Sequence, residues 1–145
     1  MKIALVSSVG GHLSELCELA SALGEHELVW IVNDESPVLP PGVHAYRVAH
    51  AERDWRVAWN LVEFAAIFAR ERPQAMLSTG AGPAIPAGLI ARLAGIPYVH
   101  VEPSSAVTEL TLTGRLARWI TPEVYVQWES LRARAPWAKY AGGLL

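Results

Sequence analysis

The sequence predicts an α/β domain built on a parallel sheet of about six strands. Three observations carry this prediction. Short apolar runs alternate with longer stretches of helical periodicity, and glycine or proline stands at most of the boundaries between them. The chain has 145 residues, of which 52% are apolar and 18% charged, which is enough for one core and too short for two. We therefore expect a single Rossmann-like domain over residues 1–145, with right-handed crossovers giving the strand order 3-2-1-4-5-6.

The predicted elements follow one another along the whole chain. Apolar runs of strand length predict strands at residues 3–7, 28–32, 43–48, 75–78, 98–101 and 124–127. Apolar residues at helical spacing predict helices at residues 13–23, 54–70, 83–94 and 112–120, and the tail begins as a helix at residue 130. Gly24 and Gly95 end the first and third helices. Asp54 is the expected N-cap of the second helix, and Pro73 lies just beyond its end.

Charge and cysteine content exclude several classes of protein. A net charge of −2 lacks the basic footprint of a nucleic-acid-binding protein. The single cysteine, Cys17, forms neither an internal disulfide nor a Cys-rich zinc site, and we see no metal-binding cluster. No signal peptide is visible, and the longest uncharged run, residues 73–91, is too interrupted by proline and glycine for a membrane span. The apolar content is nevertheless high, and six tryptophans leave surface for a partner or a membrane.

Two small-residue loops mark the candidate binding crevice. The first, Gly10-Gly11-His12, follows strand 3–7, and the second, Ser78-Thr79-Gly80-Ala81-Gly82, follows strand 75–78. These strands flank the point where the predicted order reverses, so both loops should face one crevice. Each loop precedes a helix N-terminus, whose free N–H groups suit a phosphate or diphosphate. Neither loop matches a dinucleotide or P-loop fingerprint, so simple tight turns remain the alternative.

His12 and Glu102 are the candidate catalytic residues. At a helix N-terminus the macrodipole disfavours an imidazolium, so His12 should stay neutral and able to take a proton from an acceptor hydroxyl. The alternative is a hydrogen-bonded cap residue. Glu102 follows strand 98–101, where a carboxylate would orient His12 or bind sugar hydroxyls, or simply belong to the loop. Asp34, after the second strand, lies where dinucleotide folds place a ribose-binding acid, but the glycine fingerprint is missing.

The helix at residues 54–70 is apolar on two sides. Wound at about 100° per residue, it carries one stripe with Phe64 and Phe68 and another with Trp55 and Trp59. The apolar arc is wider than a sheet-covering helix needs. We expect one stripe to pack on the sheet while Trp55 and Trp59 contact the lipid interface or a partner protein, and we include Phe64 and Phe68 among the candidate contact residues. A well-buried helix is the alternative.

Several motifs in order resemble one protein family. They are Ser7 to His12, Ser78 to Pro86, Val99-His100-Val101-Glu102, Leu112 to Leu116 and Tyr125-Val126-Gln127-Trp128. Together they resemble the oligosaccharide-biosynthesis family of asparagine-linked glycosylation protein fourteen, especially its bacterial exopolysaccharide members. The resemblance covers essentially the whole chain.

The resemblance implies the acceptor-side, N-terminal half of a GT-B glycosyltransferase. A partner subunit would bind the UDP-sugar, so this chain would bind no cofactor itself, and the pair would extend a polyprenyl- or dolichyl-diphosphate-linked saccharide at the cytoplasmic membrane face. The sugar would be N-acetylglucosamine, glucuronate or galactose. Carried over, the acceptor diphosphate would be bound by Gly10, Gly11, Ser78, Thr79, Gly80 and Gly82, with His12 as the base. The N-terminal membrane helix of the eukaryotic members is missing.

Two other functions remain open at this point. One is a non-catalytic scaffold that recruits the donor-binding subunit to the membrane, and it predicts that His12→Ala leaves the complex active. The other is a soluble nucleotide-binding module, which predicts that the isolated chain binds a nucleotide. We expect no activity from the chain alone, because one domain of this size supplies only one side of a GT-B cleft.

Overall fold

A computed structural model describes residues 1–33, 39–49 and 55–144. These residues form one sheet of seven parallel strands in the order β3-β2-β1-β4-β5-β6-β7. The strands are β1 Lys2–Ser7, β2 Glu27–Asn33, β3 Ala45–Val48, β4 Ala75–Gly80, β5 Tyr98–Val101, β6 Glu123–Val126 and β7 Lys139–Tyr140. The helices are α1 Gly11–Ser21, α2 Arg56–Glu71, α3 Ala84–Leu93 and α4 Leu112–Ala117, and a 3₁₀ turn spans Glu129–Ala133.

The predicted fold class and strand order are confirmed, with differences at the ends of elements. The third strand begins two residues later than predicted, and β4 extends two residues further, to Gly80. The fourth helix ends at Ala117, not at residue 120. The seventh strand was not predicted, because its two exposed residues carry no apolar pattern. Asp34 and Asp54, for which the sequence predicted roles, lie outside the described residues.

Alternating residues of β1 divide the core between the two faces of the sheet. Ile3 and Leu5 pack with α1 on one face. Ala4 and Val6 point to the opposite face, where they join a cluster that contains residues of α2 and α3. This alternation is what a strand buried on both sides requires. Among the described helices, it places α1 on one face and α2 and α3 side by side on the other, with α4 beside α3.

Helix α2 corrects one sequence prediction. Phe64 and Phe68, expected at a membrane or partner contact, are 0% and 4% exposed and meet edge to face within the core. The physical reason is the phase of the helix, which turns the phenylalanine stripe toward the sheet and the tryptophan stripe outward. Asn60 of the same helix is also buried, and it donates hydrogen bonds to the Ala49 carbonyl (2.9 Å) and to Glu63 (3.0 Å).

The last residue of α2 joins the helix to two strands. Glu71 accepts hydrogen bonds from the Tyr46 hydroxyl on β3 and from Lys2 Nζ on β1, the latter at 3.1 Å. The tyrosine bond first, and then the lysine bond, hold the pKa of the Glu71 carboxyl below its ordinary value. The ionised carboxylate is therefore the form that supports this junction.

Candidate active site

The first glycine loop is shaped by Gly10. Its φ of 90° lies in the region that favours glycine, and its carbonyl accepts the N–H groups of Leu13 and Ser14, both at 3.1 Å. The side chain of Asn33, at the end of β2, accepts the Val9 N–H at 3.0 Å. The loop between β1 and α1 is therefore fixed from both the helix side and the sheet side.

The second loop begins with an irregularity in the sheet. Val6 pairs with Ser78 but Ser7 pairs with Gly80, so Thr79 is an extra residue in β4. Such a bulge turns backbone and side-chain groups away from the ladder. Here Thr79 contacts His12 through both its hydroxyl and its backbone carbonyl. The hydroxyl donates to the His12 carbonyl at 2.6 Å, and the Thr79 carbonyl lies 2.9 Å from His12 Nδ1. Thr79 thereby joins the two predicted loops.

The bond to Thr79 fixes the tautomer of His12. A carbonyl oxygen only accepts hydrogen bonds, so Nδ1 must carry a proton and donate. In the neutral ring, Nε2 then holds the lone pair. The side chain is only partly buried, which leaves room for a substrate hydroxyl. A histidine oriented through Nδ1 with a free basic Nε2 has the arrangement of a general base.

Backbone donors surround this histidine. Within the described residues, the N–H groups of Gly11 and His12 at the start of α1 make no hydrogen bond, and neither do those of Gly82 and Ile85 at the start of α3. Gly11 and Gly82 are exposed. These two helix N-termini with unused donors follow the neighbouring strands β1 and β4 at the same edge of the sheet, an arrangement that suits a diphosphate.

A buried polar chain lies under the second loop. Tyr98, His100 and Glu102 lie on one side of β5 and its end, and all three are buried. The Tyr98 hydroxyl lies 2.9 Å from His100 Nδ1, and His100 Nε2 lies 2.9 Å from Glu102 Oε1. Burial raises the pKa of Tyr98, so its hydroxyl keeps its proton and donates to Nδ1. His100 then donates from Nε2 to the carboxylate.

Glycine 80 lies between the two histidines. A Cβ added at this residue would be 3.5 Å from His100 Cε1 and 3.7 Å from His12 Nδ1. Its φ of 106° also favours glycine, and its N–H donates to Ser78 Oγ at 3.1 Å. A Cβ at these distances would make ordinary van der Waals contacts, so the positive φ, and not a lack of space, favours glycine where the second loop passes the two imidazoles.

The carboxylate of Glu102 corrects its predicted role. It accepts the Thr111 N–H at 2.7 Å and the Thr111 hydroxyl at 2.8 Å, in addition to the bond from His100. Gly114 of α4 lies so close that a Cβ there would be 2.1 Å from Glu102 Oε1. Since Glu102 is wholly enclosed, it orients His100 and the start of α4 and does not orient His12 or contact a sugar.

A second buried carboxylate, Glu15 of α1, holds the segment that follows β5. It accepts the N–H of Ser104 at 2.9 Å, the Ser104 hydroxyl, and Gln127 Nε2 at 3.1 Å. Gln127 also donates to the Glu102 carbonyl at 3.0 Å and accepts the Leu144 N–H at 2.9 Å. This network joins α1 to the segment after β5 and to the residue after β6.

The structure therefore assembles the predicted site only in part. Gly10, Gly11 and Gly82 are exposed beside His12, as a ligand requires. Ser78 and Thr79, expected to bind a diphosphate, are 0% exposed and position the loops instead. Gly80, expected to bind it as well, is also buried, and its N–H is already donated to Ser78 Oγ. The residues that sequence reasoning missed are Tyr98, His100, Thr111, Gly114 and Glu15. The alternation of polar residues at 98, 100 and 102 in a buried strand was the signal that could have found the first two.

The tryptophan stripe of α2 does reach the surface. Trp55 is 74% exposed and Trp59 52%, and Val62 follows on the same face one turn later. Trp55 and Trp59 line an apolar recess of about 400 Å³ together with Ala49 and Arg56. No helix in the described residues is long and apolar enough to cross a bilayer. Those residues also bring together no group of three His, Cys, Asp or Glu side chains suited to a metal.

The parallel sheet, with its loops at the point where the strand order reverses, defines a Rossmann-like domain of the GT-B type. The fold is similar to that of Acinetobacter baumannii MurG, with a TM-score of 0.73 and 16% identity over 90% of this chain and 43% of MurG. It is also similar to UDP-N-acetylglucosamine 2-epimerase from Rickettsia bellii, with a TM-score of 0.76 and 13% identity over 99% of this chain and 45% of the epimerase. This chain thus spans less than half the length of either structure.

The sequence identifies the family within that class. The model of the family "Oligosaccharide biosynthesis protein Alg14 like" matches residues 53–144, and the chain belongs to this family. It is 24% identical to the mouse UDP-N-acetylglucosamine transferase subunit ALG14, over all of this chain and 83% of the mouse protein. The family resemblance stated from the sequence motifs is confirmed.

Proposed function

We propose that this chain is the acceptor-binding, membrane-associated subunit of a two-component glycosyltransferase. The pair would move a sugar, N-acetylglucosamine in the first instance, from a UDP-sugar to a polyprenyl- or dolichyl-diphosphate-linked saccharide at the cytoplasmic face of the membrane. Glucuronate and galactose are the other donor sugars to test. The observation that carries the proposal is His12, whose ring Thr79 orients where two loops with unused backbone donors converge.

In this reaction His12 would act as general base. An acceptor hydroxyl attacks the anomeric carbon of the donor sugar and gives its proton to His12 Nε2, while the bond from that carbon to UDP breaks. The Thr79 carbonyl stabilises the imidazolium that forms, because it already accepts the Nδ1 proton. The N–H groups at the starts of α1 and α3 would bind the acceptor diphosphate and so bring the hydroxyl to Nε2.

The donor side of the reaction would come from a second protein. The chain aligns with less than half of each GT-B-like structure, and a GT-B cleft is formed between two such domains. The family relative from mouse is itself called a transferase subunit. We therefore place the UDP-sugar on a donor-binding partner and expect this chain alone to transfer nothing.

The membrane contact would lie on the face that carries α2, α3 and α4. Besides Trp55 and Trp59, this layer exposes Leu93 near the end of α3 and Trp119 just after α4. Amphipathic indoles suit the interface between lipid headgroups and acyl chains. The arginines at the ends of these helices add attraction to anionic lipid.

The activity test combines the chain with a partner. The purified chain would be mixed with candidate donor-binding subunits from neighbouring open reading frames, a labelled UDP-sugar and a lipid-diphosphate acceptor. We expect transfer only from the pair, and a loss of about 100-fold or more in His12→Ala, the usual scale for a general base. Gly24→Ala, at a site distant from the loops, is the control. Transfer by the chain alone would contradict the subunit assignment, and full activity of His12→Ala would favour a scaffold.

The membrane test uses co-sedimentation with vesicles that contain anionic lipid. We expect Trp55→Ser combined with Trp59→Ser to lower the bound fraction strongly, because both side chains are exposed and neither supports the core. Trp128→Ser, at an exposed tryptophan outside the helix layer, is the matched control. If the double variant bound vesicles as well as the parent protein, α2 would not be the membrane contact.

A further inference from the structure

We propose a phosphate-binding cleft beside α4, apart from the two glycine loops. It is an open cavity of about 430 Å³ between α4 with the turn that follows it and the segment that precedes β7. Its lining includes three arginines, two tryptophans and one carboxylate: Arg115, Arg118, Arg134, Trp119, Trp137 and Glu109. The ligand it would take is a phosphate group, either free or in a lipid headgroup.

The central residue of the cleft is Arg118. Its guanidinium lies 4.6 Å from the centroid of the Trp119 ring and 4.8 Å from that of Trp137. Contacts with aromatic rings use the faces of the guanidinium plane and leave the N–H groups at its edge for acceptors. Among the described residues, no carboxylate or carbonyl accepts a hydrogen bond from Arg118. The two indoles therefore hold a charged group whose N–H donors no residue in the described part of the chain accepts.

The charge of the cleft favours an anion. Arg115 and Arg134 share a single carboxylate, Glu109, at 3.5 and 3.0 Å. Three guanidinium groups against one carboxylate leave a net charge of about +2, which matches a phosphate monoester dianion. Arg115 is also held by two bonds to the Leu110 carbonyl, both at 3.2 Å, so a second donor group is already placed.

The position of the cleft leaves two sources for the phosphate. The cleft is open to solvent, so a soluble phosphate can enter. Its α4 side also exposes Leu112 and Leu116, which would contact lipid if the headgroup of a membrane phospholipid were the ligand. The chemistry of the site is the same in both cases, and two probes separate them.

The first probe is inorganic phosphate, followed through the indole N–H signals of Trp119 and Trp137 in NMR spectra. We expect saturable shifts of these signals, with affinity about tenfold weaker in Arg118→Gln because a charge-assisted hydrogen bond is lost. Arg134→Gln, at an exposed side chain, should also weaken binding and guards against a folding defect in the first variant. Arg132→Gln removes the same charge from an exposed arginine outside the cleft and should leave the affinity unchanged.

The second probe is a vesicle of phosphatidylcholine with or without phosphatidic acid, whose headgroup is a phosphate monoester. If the headgroup is the ligand, binding to the anionic vesicle falls in Arg118→Gln but not in Arg132→Gln, and free phosphate gives no saturable shift. Glu109→Gln should strengthen binding about threefold with either probe, because it removes a negative charge near the ligand.

The proposal fails if neither probe binds, if Arg132→Gln weakens binding as much as Arg118→Gln, or if Glu109→Gln weakens it. None of these results bears on His12, because the measurement is binding and the cleft shares no residue with the glycine loops.

Discussion

Substituting Gly114 with alanine tests the buried polar chain most directly. A Cβ there would be 2.1 Å from Glu102 Oε1 and 2.4 Å from Cδ, far inside van der Waals contact. The carboxyl group has no free space to move into, since it is fully buried and bonded to His100 and Thr111. Either α4 must shift away from the sheet or Glu102 must give up hydrogen bonds.

The expected cost is the sum of three effects. Overpacking of this kind costs about 1–3 kcal/mol, and leaving buried charge-assisted bonds unmade costs about as much again. Alanine returns about 1 kcal/mol through its better helix propensity. We therefore expect Gly114→Ala to lower the free energy of unfolding by about 1–5 kcal/mol, or the Tm by roughly 3–16 °C.

Thermal and urea unfolding followed by circular dichroism would measure this loss. Gly24→Ala is the control, because a Cβ there meets nothing closer than 3.9 Å and φ is not positive. The double variant Gly114→Ala with Glu102→Ala should cost less than the sum of the single variants, because the alanine at position 102 removes the clash. Strict additivity, or a Gly114→Ala protein as stable as Gly24→Ala, would refute the close approach of α4 to Glu102.

Three further predictions concern single hydrogen-bonding residues. Thr79→Val should cost about 1 kcal/mol and reduce transfer by the assembled pair, because it removes the hydroxyl bond to the His12 carbonyl; Thr79→Ser should retain both stability and transfer. Glu15→Ala should cost about 1–3 kcal/mol in urea unfolding, since it leaves the Ser104 N–H without its acceptor, and an unchanged midpoint would contradict the network. Glu71→Gln should lose less stability than the parent protein on acidification. The lowered pKa of Glu71 means that the parent has this stabilisation above the ordinary carboxyl pKa of 4.5 and loses it as the pH falls below that value, which unfolding midpoints across this range would measure.

The sequence predicted the sheet well because its signals are local. Apolar runs of strand length and glycines at helix ends are read within a few residues, and the order of six strands followed from crossover handedness. The two-residue β7 has no local signal, since its pairing with β6 depends on the turn before it. Phe64 and Trp59 lie on different apolar stripes of one helix; the tryptophan stripe was expected to face outward and does, but Phe64 was also counted as a contact residue because both stripes are apolar.

The site was predicted less completely because its geometry is set by distant contacts. The glycine loops and His12 were predicted correctly as neighbours because residue type and position after a strand are enough to recognise them in the sequence. The bulge at Thr79 depends on register with β1, some 70 residues away in the chain. The enclosure of Glu102 depends on how closely α4 approaches, which a single glycine, Gly114, makes possible.

These contacts give the two predicted catalytic residues different tasks. His12 needs no carboxylate partner, because a backbone carbonyl already fixes its tautomer and leaves Nε2 free. Glu102 instead fixes His100, whose ring, like that of His12, lies within 4 Å of a Cβ added at Gly80. A change at His12 should therefore abolish transfer with little effect on stability. A change at Glu102 should mainly lower the stability of the fold. It should lower the rate of sugar transfer only indirectly, by displacing the second loop.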